Sequence, residues 1–289
     1  GIGALAAKIA ALVIRKKIRV IFTAHGWGFY EDRSLAARAA IFVASWVSSW
    51  FQDHVITLDT ADWHAAQRFI PAHKLHLIFN GIGEENFLPR DAARDFLLTK
   101  IAQPIADDTL IIGTIAELTK NKGLSFLIDA VAILQTQKNT PPIHFFIIGE
   151  GEQRHILETK IRNLGLNRTI TLCGFNPDAR AALAGFDIIV LPSRKEGLPY
   201  TLLEAMSQGV PLVATSVGAI TDVITNTKNG LIVPPDDPSA LSQAIMYAVG
   251  HQNDIQLMAV AAKKTASAFS LSAMIKKTMM AYRKPAEWS

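Results

Sequence analysis

SRKEGLPYTLLEAMSQGVPLVAT, residues 193–215, carries two glutamates, Glu196 and Glu204, with seven residues between them. Pro199 suits the first turn of a helix, where its missing N–H costs nothing. Glu204 then lies two turns into that helix, while Glu196 stays on the loop before it. At 1.5 Å rise per residue the two carboxylates are roughly 12 Å apart along the axis. Paired carboxylates that flank one scissile glycosidic bond stand only roughly 5–9.5 Å apart. A hydrolase acid/base couple is therefore disfavoured. Two carboxylates bracketing a helix start suit a ligand with hydroxyls at both ends and phosphates in the middle, the phosphates going to the helix N–H groups. A nucleotide sugar has that layout.

Outward from this segment, strand-like runs (18–23, 54–58, 75–79, 109–115, 143–148, 169–173, 187–191 and 210–214) alternate with helix-like segments at 34–51, 61–69, 122–137, 152–164, 177–185 and 200–208. Val/Ile/Leu-rich strands in βαβα order predict parallel sheets covered on both faces. Residues 1–17 predict a helix whose basic residues gather at its C-terminal end, as the macrodipole prefers. The stretch 83–108, with Gly83, Pro89, Pro104 and many charges, reads as a connector between domains. A last helix is expected from Leu271 to Arg283, capped by Ser270 or Ser272.

Other segments fall in a recognisable order: TAHGWGF at 23–29, NGI at 80–82, ELTKNKG at 117–123, FFIIGEGE at 145–152, TLCGF at 171–175 and DIIVLPS at 187–193. With the two spaced glutamates, they resemble retaining glycosyltransferase family 4 and its E-x7-E motif, from about residue 20 to the C-terminus. The resemblance implies an α/β fold of GT-B type, with two Rossmann-like parallel-sheet domains facing a cleft and the first incomplete. The expected division is a partial acceptor-side domain at 1–90, a donor nucleotide-sugar-binding domain at 105–270, and a C-terminal helix at 271–289 crossing back to the first domain. A Rossmann-like domain does not begin where this chain does. At roughly 30 residues per βα unit, about 90 residues are expected upstream, which reads as N-terminal truncation.

Roles carry over one residue at a time. Glu204 resembles the family's ribose-hydroxyl ligand, and Glu196 the carboxylate on hydroxyls of the transferred sugar. Gly197, Leu198, Pro199, Tyr200, Thr201 and Leu202 form the stretch whose backbone N–H groups are expected on sugar and phosphate. Gly149 and Gly151 follow a strand, where absent side chains let a ligand approach the backbone. Gly174, Phe175 and Asn176 end the next strand on the same edge and are expected at the base, with Phe175 either stacking or packing. Lys122, beside Gly123, is a candidate charge for a diphosphate leaving group, against the reading of a surface lysine. Where the family places a second cation, this chain has Glu117, which is not assigned to phosphate. His25 matches a histidine near the donor sugar, though beside Trp27 it also reads as a core residue.

Composition narrows the alternatives. Apolar residues at 49% against 19% charged fit a globular α/β protein and exclude disorder. Cys173 is the single cysteine, which excludes an internal disulfide and suggests a reducing compartment. No secretory signal pattern is read, and the longest apolar stretch, Ala39 to Phe51, has thirteen residues, short of the roughly 20 that span a bilayer. Residues 1–100 hold twelve Lys/Arg against nine Asp/Glu. The cluster Arg15, Lys16, Lys17 and Arg19 reads either as a site for an anionic lipid surface or as a solvated helix end. No histidine spacing or D-x-D suggests a metal, and no basic-aromatic patch suggests nucleic acid. The expectation is a cytoplasmic hexosyltransferase, peripheral at the inner membrane face. It needs no cofactor or metal and acts on a nucleoside diphosphate sugar and a glycan or lipid-linked acceptor in cell-surface polysaccharide synthesis. The alternatives are a nucleotide-sugar-binding fragment without turnover and a nucleotide-sugar epimerase.

Overall fold

The computed structural model describes residues 2–15, 18–30, 33–83, 87–101, 104–138 and 140–282. Lys16, Lys17 and Arg283 of the readings above lie outside the described residues, as do 84–86 and 102–103 of the connector. The chain divides into two compact units, Gly1–Gly81 with Ser270–Ser289, and Ile82–Phe269.

The first unit holds α1 (Ile2–Val13), β1 (Ile21–Ala24), α2 (Leu35–Trp50), β2 (His54–Thr57), α3 (Thr60–Ala66), β3 (Leu75–Leu77) and a terminal helix, Leu271–Tyr282. Its three strands lie parallel in the order β1-β2-β3, with Phe22 opposite Val55 and Ile56 opposite His76. The core gathers on Trp27, whose ring stacks on Phe29 at 5.6 Å and meets the edge of Phe69 at 5.3 Å. Its Nε1 donates to the Asp62 carbonyl at 3.0 Å, so the indole is buried without stranding its polar atom. Asp59 caps α3 by accepting from the Asp62 N–H at 2.6 Å. Asp53 ties α1 to the sheet: its Oδ2 accepts from Lys8 Nζ at 2.6 Å and from the Val20 N–H at 2.7 Å.

The second unit holds α4 (Arg90–Leu98), β4 (Leu110–Ile115), α5 (Leu124–Gln135), β5 (Ile143–Ile148), α6 (Arg154–Asn163), β6 (Ile170–Gly174), β7 (Ile188–Leu191), α7 (Tyr200–Gln208), β8 (Leu212–Thr215), α8 (Ile220–Val223), β9 (Leu231–Val233), α9 (Pro238–Gly250) and α10 (Gln252–Ala266). All six strands are parallel, in the order β6-β5-β4-β7-β8-β9. Apolar strands such as IHFFII and IIVL are buried on both faces, as parallel strands covered by helices must be. The chain winds outward from β4 to β6, then returns to the other side of β4 and winds outward again from β7. Between β4 and β7 the succeeding loops diverge, which makes a crevice at the carboxyl ends of the strands.

Several elements differ from the sequence expectation. The connector contains α4, whose Arg90 and Arg94, one turn apart, both bond the carboxylate of Asp187, the latter at 3.0 Å. The same carboxylate accepts from the Ile111 N–H at 2.7 Å, so the charges fasten α4 to the start of β4 and β7. The segment expected as a helix at 177–185 is a 3-10 helix, Ala179–Gly185. Strand β9 and helices α8, α9 and α10 follow the last strand that the pattern revealed.

His54 and His76 sit on adjacent strands with Nδ1 and Nε2 2.9 Å apart. Burial holds the pKa of each below the ordinary value of 6.5; Arg19 adds to this at His54, and His54 itself adds to it at His76. The unfolded chain therefore takes up protons first as pH falls. The stability these neutral rings contribute is complete above the unfolded value and is lost as pH falls through the folded ones. The expected outcome is a melting midpoint for the first unit that drops between about pH 7.5 and about pH 5, with a shallower drop in His76→Gln. Circular dichroism melts across that range test it, and a midpoint with the same slope in both chains overturns it.

Candidate functional site

Loops at the carboxyl ends of β4 and β7 bring three polar side chains together at the strand-order reversal. Gly123 makes the approach possible. It is left-handed (φ +64°), and a Cβ there would lie 1.9 Å from the Pro192 carbonyl oxygen, inside any real contact. The neighbouring Asn121 carbonyl accepts from the Arg194 N–H at 2.8 Å, locking the two loops edge to edge. Lys122 Nζ then reaches Glu196 Oε1 at 2.7 Å, and Ser193 Oγ donates to the same oxygen at 2.7 Å. Lys122 and Glu196 were assigned to different parts of a ligand from sequence; here they are partners.

The Glu196 loop is held from behind as well. Thr215 Oγ1 donates to the Ser193 carbonyl at 2.5 Å, and the Ala219 N–H donates to the Gly197 carbonyl at 3.0 Å. Gly218 (φ +52°) packs so closely that a Cβ would come within 2.0 Å of the Glu196 carbonyl oxygen.

Beyond this loop α7 begins. Pro199 takes its N-cap position at φ −67° and ψ 132°, and no side chain caps that end. Its first N–H groups stand at the positive end of the helix dipole, with no cap bond from the N-cap side chain. Leu198 and Leu202 are buried and anchor the turn, Thr201 Oγ1 donates to the Ile115 carbonyl at 3.3 Å, and Tyr200 is half exposed. Glu204 is 3% exposed, which removes the alternative of a surface helix glutamate. Its Oε1 accepts from Arg180 Nη1 at 3.3 Å. Arg180, from the 3-10 helix before β7, is 24 residues away in sequence, so no local spacing announced it.

The next two loops sit on the same strand edge. Gly149 donates its N–H to the Gly174 carbonyl at 2.9 Å, and Leu118 donates to the Glu150 carbonyl at 2.8 Å. Side chains at Gly149 or Gly151 would run into the carbonyls of Ala116 and Leu118, so these glycines serve the packing of loop on loop. A Cβ on Gly174 would meet Glu150 Oε1, a carboxylate that is itself bonded by Arg154. Phe175 is 73% exposed, which overturns the reading of a packed ring. Asn176 accepts from the Asp178 N–H through Oδ1 at 2.8 Å and so shapes the loop.

His25 lies in the first unit, exposed just past the end of β1, so the reading of a buried core histidine is also overturned. Burial raises the Cys173 thiol to about 11, leaving it protonated and unreactive at neutral pH. Among the described residues no three His, Cys, Asp or Glu gather into a possible metal-ligand set. No helix among them is long and apolar enough to cross a membrane.

Residues 109–251 match the family model described as Glycosyl transferases group 1. The chain is 26% identical over 275 residues to the putative glycosyltransferase EpsD of Bacillus subtilis (strain 168), covering 93% of this chain and 71% of that protein. It is 26% identical over 251 residues to the O-antigen biosynthesis glycosyltransferase WclY of Escherichia coli, covering 83% of this chain but 65% of the relative. Among solved structures, Anabaena Alr3699/HepE in complex with UDP and glucose superposes with a TM-score of 0.81 at 19% identity, over 97% of this chain and 75% of that one. The fold is thus a GT-B-like α/β fold with two parallel sheets, and the sequence relatives support a glycosyltransferase.

The tight seat of Gly218 has a measurable consequence. Gly218→Ala forces a Cβ into the Glu196 carbonyl in a backbone conformation that alanine resists. The expected cost is about 2 kcal/mol or more, seen as a melting midpoint lowered by several degrees. Differential scanning calorimetry checks it, and an unchanged midpoint refutes the close approach.

Proposed function

We propose that this chain acts as a retaining glycosyltransferase of family 4 type, moving a hexosyl unit from a nucleoside diphosphate sugar to a hydroxyl of a glycan or lipid-linked acceptor in cell-surface polysaccharide synthesis. One observation carries the reading: Lys122, Glu196 and the uncapped start of α7 converge at the strand-order reversal, with buried Glu204 farther along the same helix. That arrangement offers a cation, N–H groups and two carboxylates in the order that a sugar, a diphosphate and a ribose require.

In this reading the diphosphate lies over the α7 start. Lys122 supplies charge from its ammonium, which gives up its bond to Glu196 as the diphosphate binds. Glu196 takes sugar hydroxyls, and Glu204 takes the ribose, exchanging its bond from Arg180 for ligand hydroxyls. Gly149 and Gly151 let a phosphate or the ribose approach their backbone, Gly174, Phe175 and Asn176 line the base end through backbone groups, and the exposed Phe175 ring stacks on the base. As the anomeric C–O bond breaks, its electron pair goes to the phosphate oxygen, where Lys122 and the helix dipole stabilise it. The acceptor oxygen bonds the same face of the carbon, and its proton passes to that phosphate oxygen.

HepE, the structural neighbour named above, binds UDP and glucose, which supports a nucleotide-sugar donor here. Exposed Phe42, Val43, Trp46, Val47 and Trp50 on α2 support peripheral contact with a membrane, the basic residues Arg15 and Arg19 favour an anionic one, and we place the enzyme on the cytoplasmic side.

Calorimetry against UDP-glucose, ADP-glucose and GDP-mannose, with the matching diphosphates, tests the donor site. Glu204→Ala is expected to weaken the diphosphate itself by at least about tenfold, since it removes a charged hydrogen-bond acceptor. Glu196→Ala is expected to leave diphosphate affinity within about twofold while transfer falls by about a hundredfold, because its contacts orient the reacting carbon. Unchanged binding and transfer in both variants overturn the assignment.

Metal independence belongs to the same reading, because Lys122 and the helix dipole take the role that a cation fills elsewhere. Transfer measured in excess EDTA should match the untreated rate; complete loss, restored by magnesium or manganese, contradicts it.

A further inference from the structure

Ser193 is among the few buried polar side chains of the second unit, at 2% exposure. Both of its polar handles are engaged. Its carbonyl accepts from Thr215 Oγ1 at 2.5 Å, and its hydroxyl donates to Glu196 Oε1 at 2.7 Å. Lys122 Nζ donates to that same Oε1, also at 2.7 Å. Two donors therefore converge on one oxygen of the carboxylate. This fixes the carboxylate plane and leaves the lone pairs of Oε2 for something else.

The two donors are unequal. Lys122 is a long, flexible side chain, 27% exposed, with a second duty toward phosphate in the reading above. Ser193 has one rotatable bond before its hydroxyl and sits two residues past the end of β7, where Thr215 bonds its carbonyl. When Lys122 turns toward a diphosphate, the serine hydroxyl is the donor that remains.

We propose that Ser193 is a positioning residue for Glu196: its hydroxyl holds Oε1 so that Oε2 stays aimed at a hydroxyl of the transferred sugar, most importantly once the diphosphate has drawn Lys122 away. This rests on the donor-site reading and adds to it the residue that sets its geometry. Carboxylates on loops need such support, because a misplacement of about 1 Å costs as much as losing the group.

The test separates the sugar's share of affinity from that of the diphosphate. The probe is whichever of UDP-glucose, ADP-glucose and GDP-mannose the wild-type chain binds, with its own diphosphate as the sugar-free control. Ser193→Ala should leave diphosphate affinity within about twofold, which also shows the site folded, while affinity for the nucleotide sugar falls by about tenfold. Glu196→Ala should remove the same sugar increment. In the Glu196→Ala background, Ser193→Ala should have no further effect, because it acts through that carboxylate. An equal loss for diphosphate and nucleotide sugar marks Ser193 as merely structural and overturns the proposal. So does a full further loss in the double variant, or an unchanged sugar increment in Ser193→Ala. If Glu196→Ala leaves the increment intact, or no probe binds, the donor-site reading falls and takes this proposal with it. The behaviour of Ser193→Ala alone does not produce that result, so the two failures are told apart.

Discussion

Lys122 and Glu196 meet at 2.7 Å across the place where the sheet reverses its winding, and the rest of the site is arranged around that ion pair. The pair is a poor stabiliser. Glu196 keeps 9% of its side chain exposed and Lys122 27%, so desolvating both offsets much of their attraction. Its use is positional. Loops after β4 and β7 diverge and by themselves leave a crevice with no fixed contents. The ion pair, the Asn121 carbonyl on the Arg194 N–H and the Gly123 approach to Pro192 turn that crevice into a defined surface.

What permits such a surface is the stiffness beneath it. The six parallel strands bury apolar side chains on both faces, with Ile111, Ile112, Phe145, Phe146 and Ile147 almost wholly removed from water. Close-packed interiors deform little, so loops seated on them by backbone contact inherit their precision. Four of the tight seats are on the carboxyl edge: Gly149 on Ala116, Gly151 on Leu118, Gly123 on Pro192 and Gly218 on Glu196. Side-chain-free backbone at these positions is how several loops crowd one edge without displacing the strands.

Much of this was legible in the residues, and the omissions have physical causes. Buried parallel strands read plainly because IHFFII and IIVL have no polar face to confuse the pattern. Glu196 and Glu204 stood out by spacing, and Ser193 was there to be read three residues before Glu196. Arg180 was not, because its partner Glu204 lies on an element reached only through β7. Charges hid α4: Arg90 and Arg94 look like linker residues until Asp187 is placed beside them by the fold. Helix α9 carries its start in the sequence, since Asp237 followed by Pro238 is a helix start, with Asp237 Oδ1 accepting from the Ala240 N–H at 2.9 Å. Phe175 and His25 could not be resolved from sequence because exposure, not identity, separates a ligand-facing ring from a core ring.

Glu204 shows how a buried carboxylate stays useful. An isolated ionised carboxyl inside a protein is expensive, and proteins neutralise or pair it. Here Arg180 approaches at 3.3 Å with 52% of its own side chain exposed, while Glu204 keeps 4%. The carboxylate is therefore held on the protein side and partnered from the solvent side. A cation anchored at the surface is exchanged more cheaply than one sealed in the core, because water rehydrates the guanidinium as it moves. Glu196 has the same asymmetry with Lys122. In both pairs the acid is fixed by the fold and the base is the more exposed member. On the donor-site reading proposed above, hydroxyl donors arriving from solvent would meet acceptors already in place.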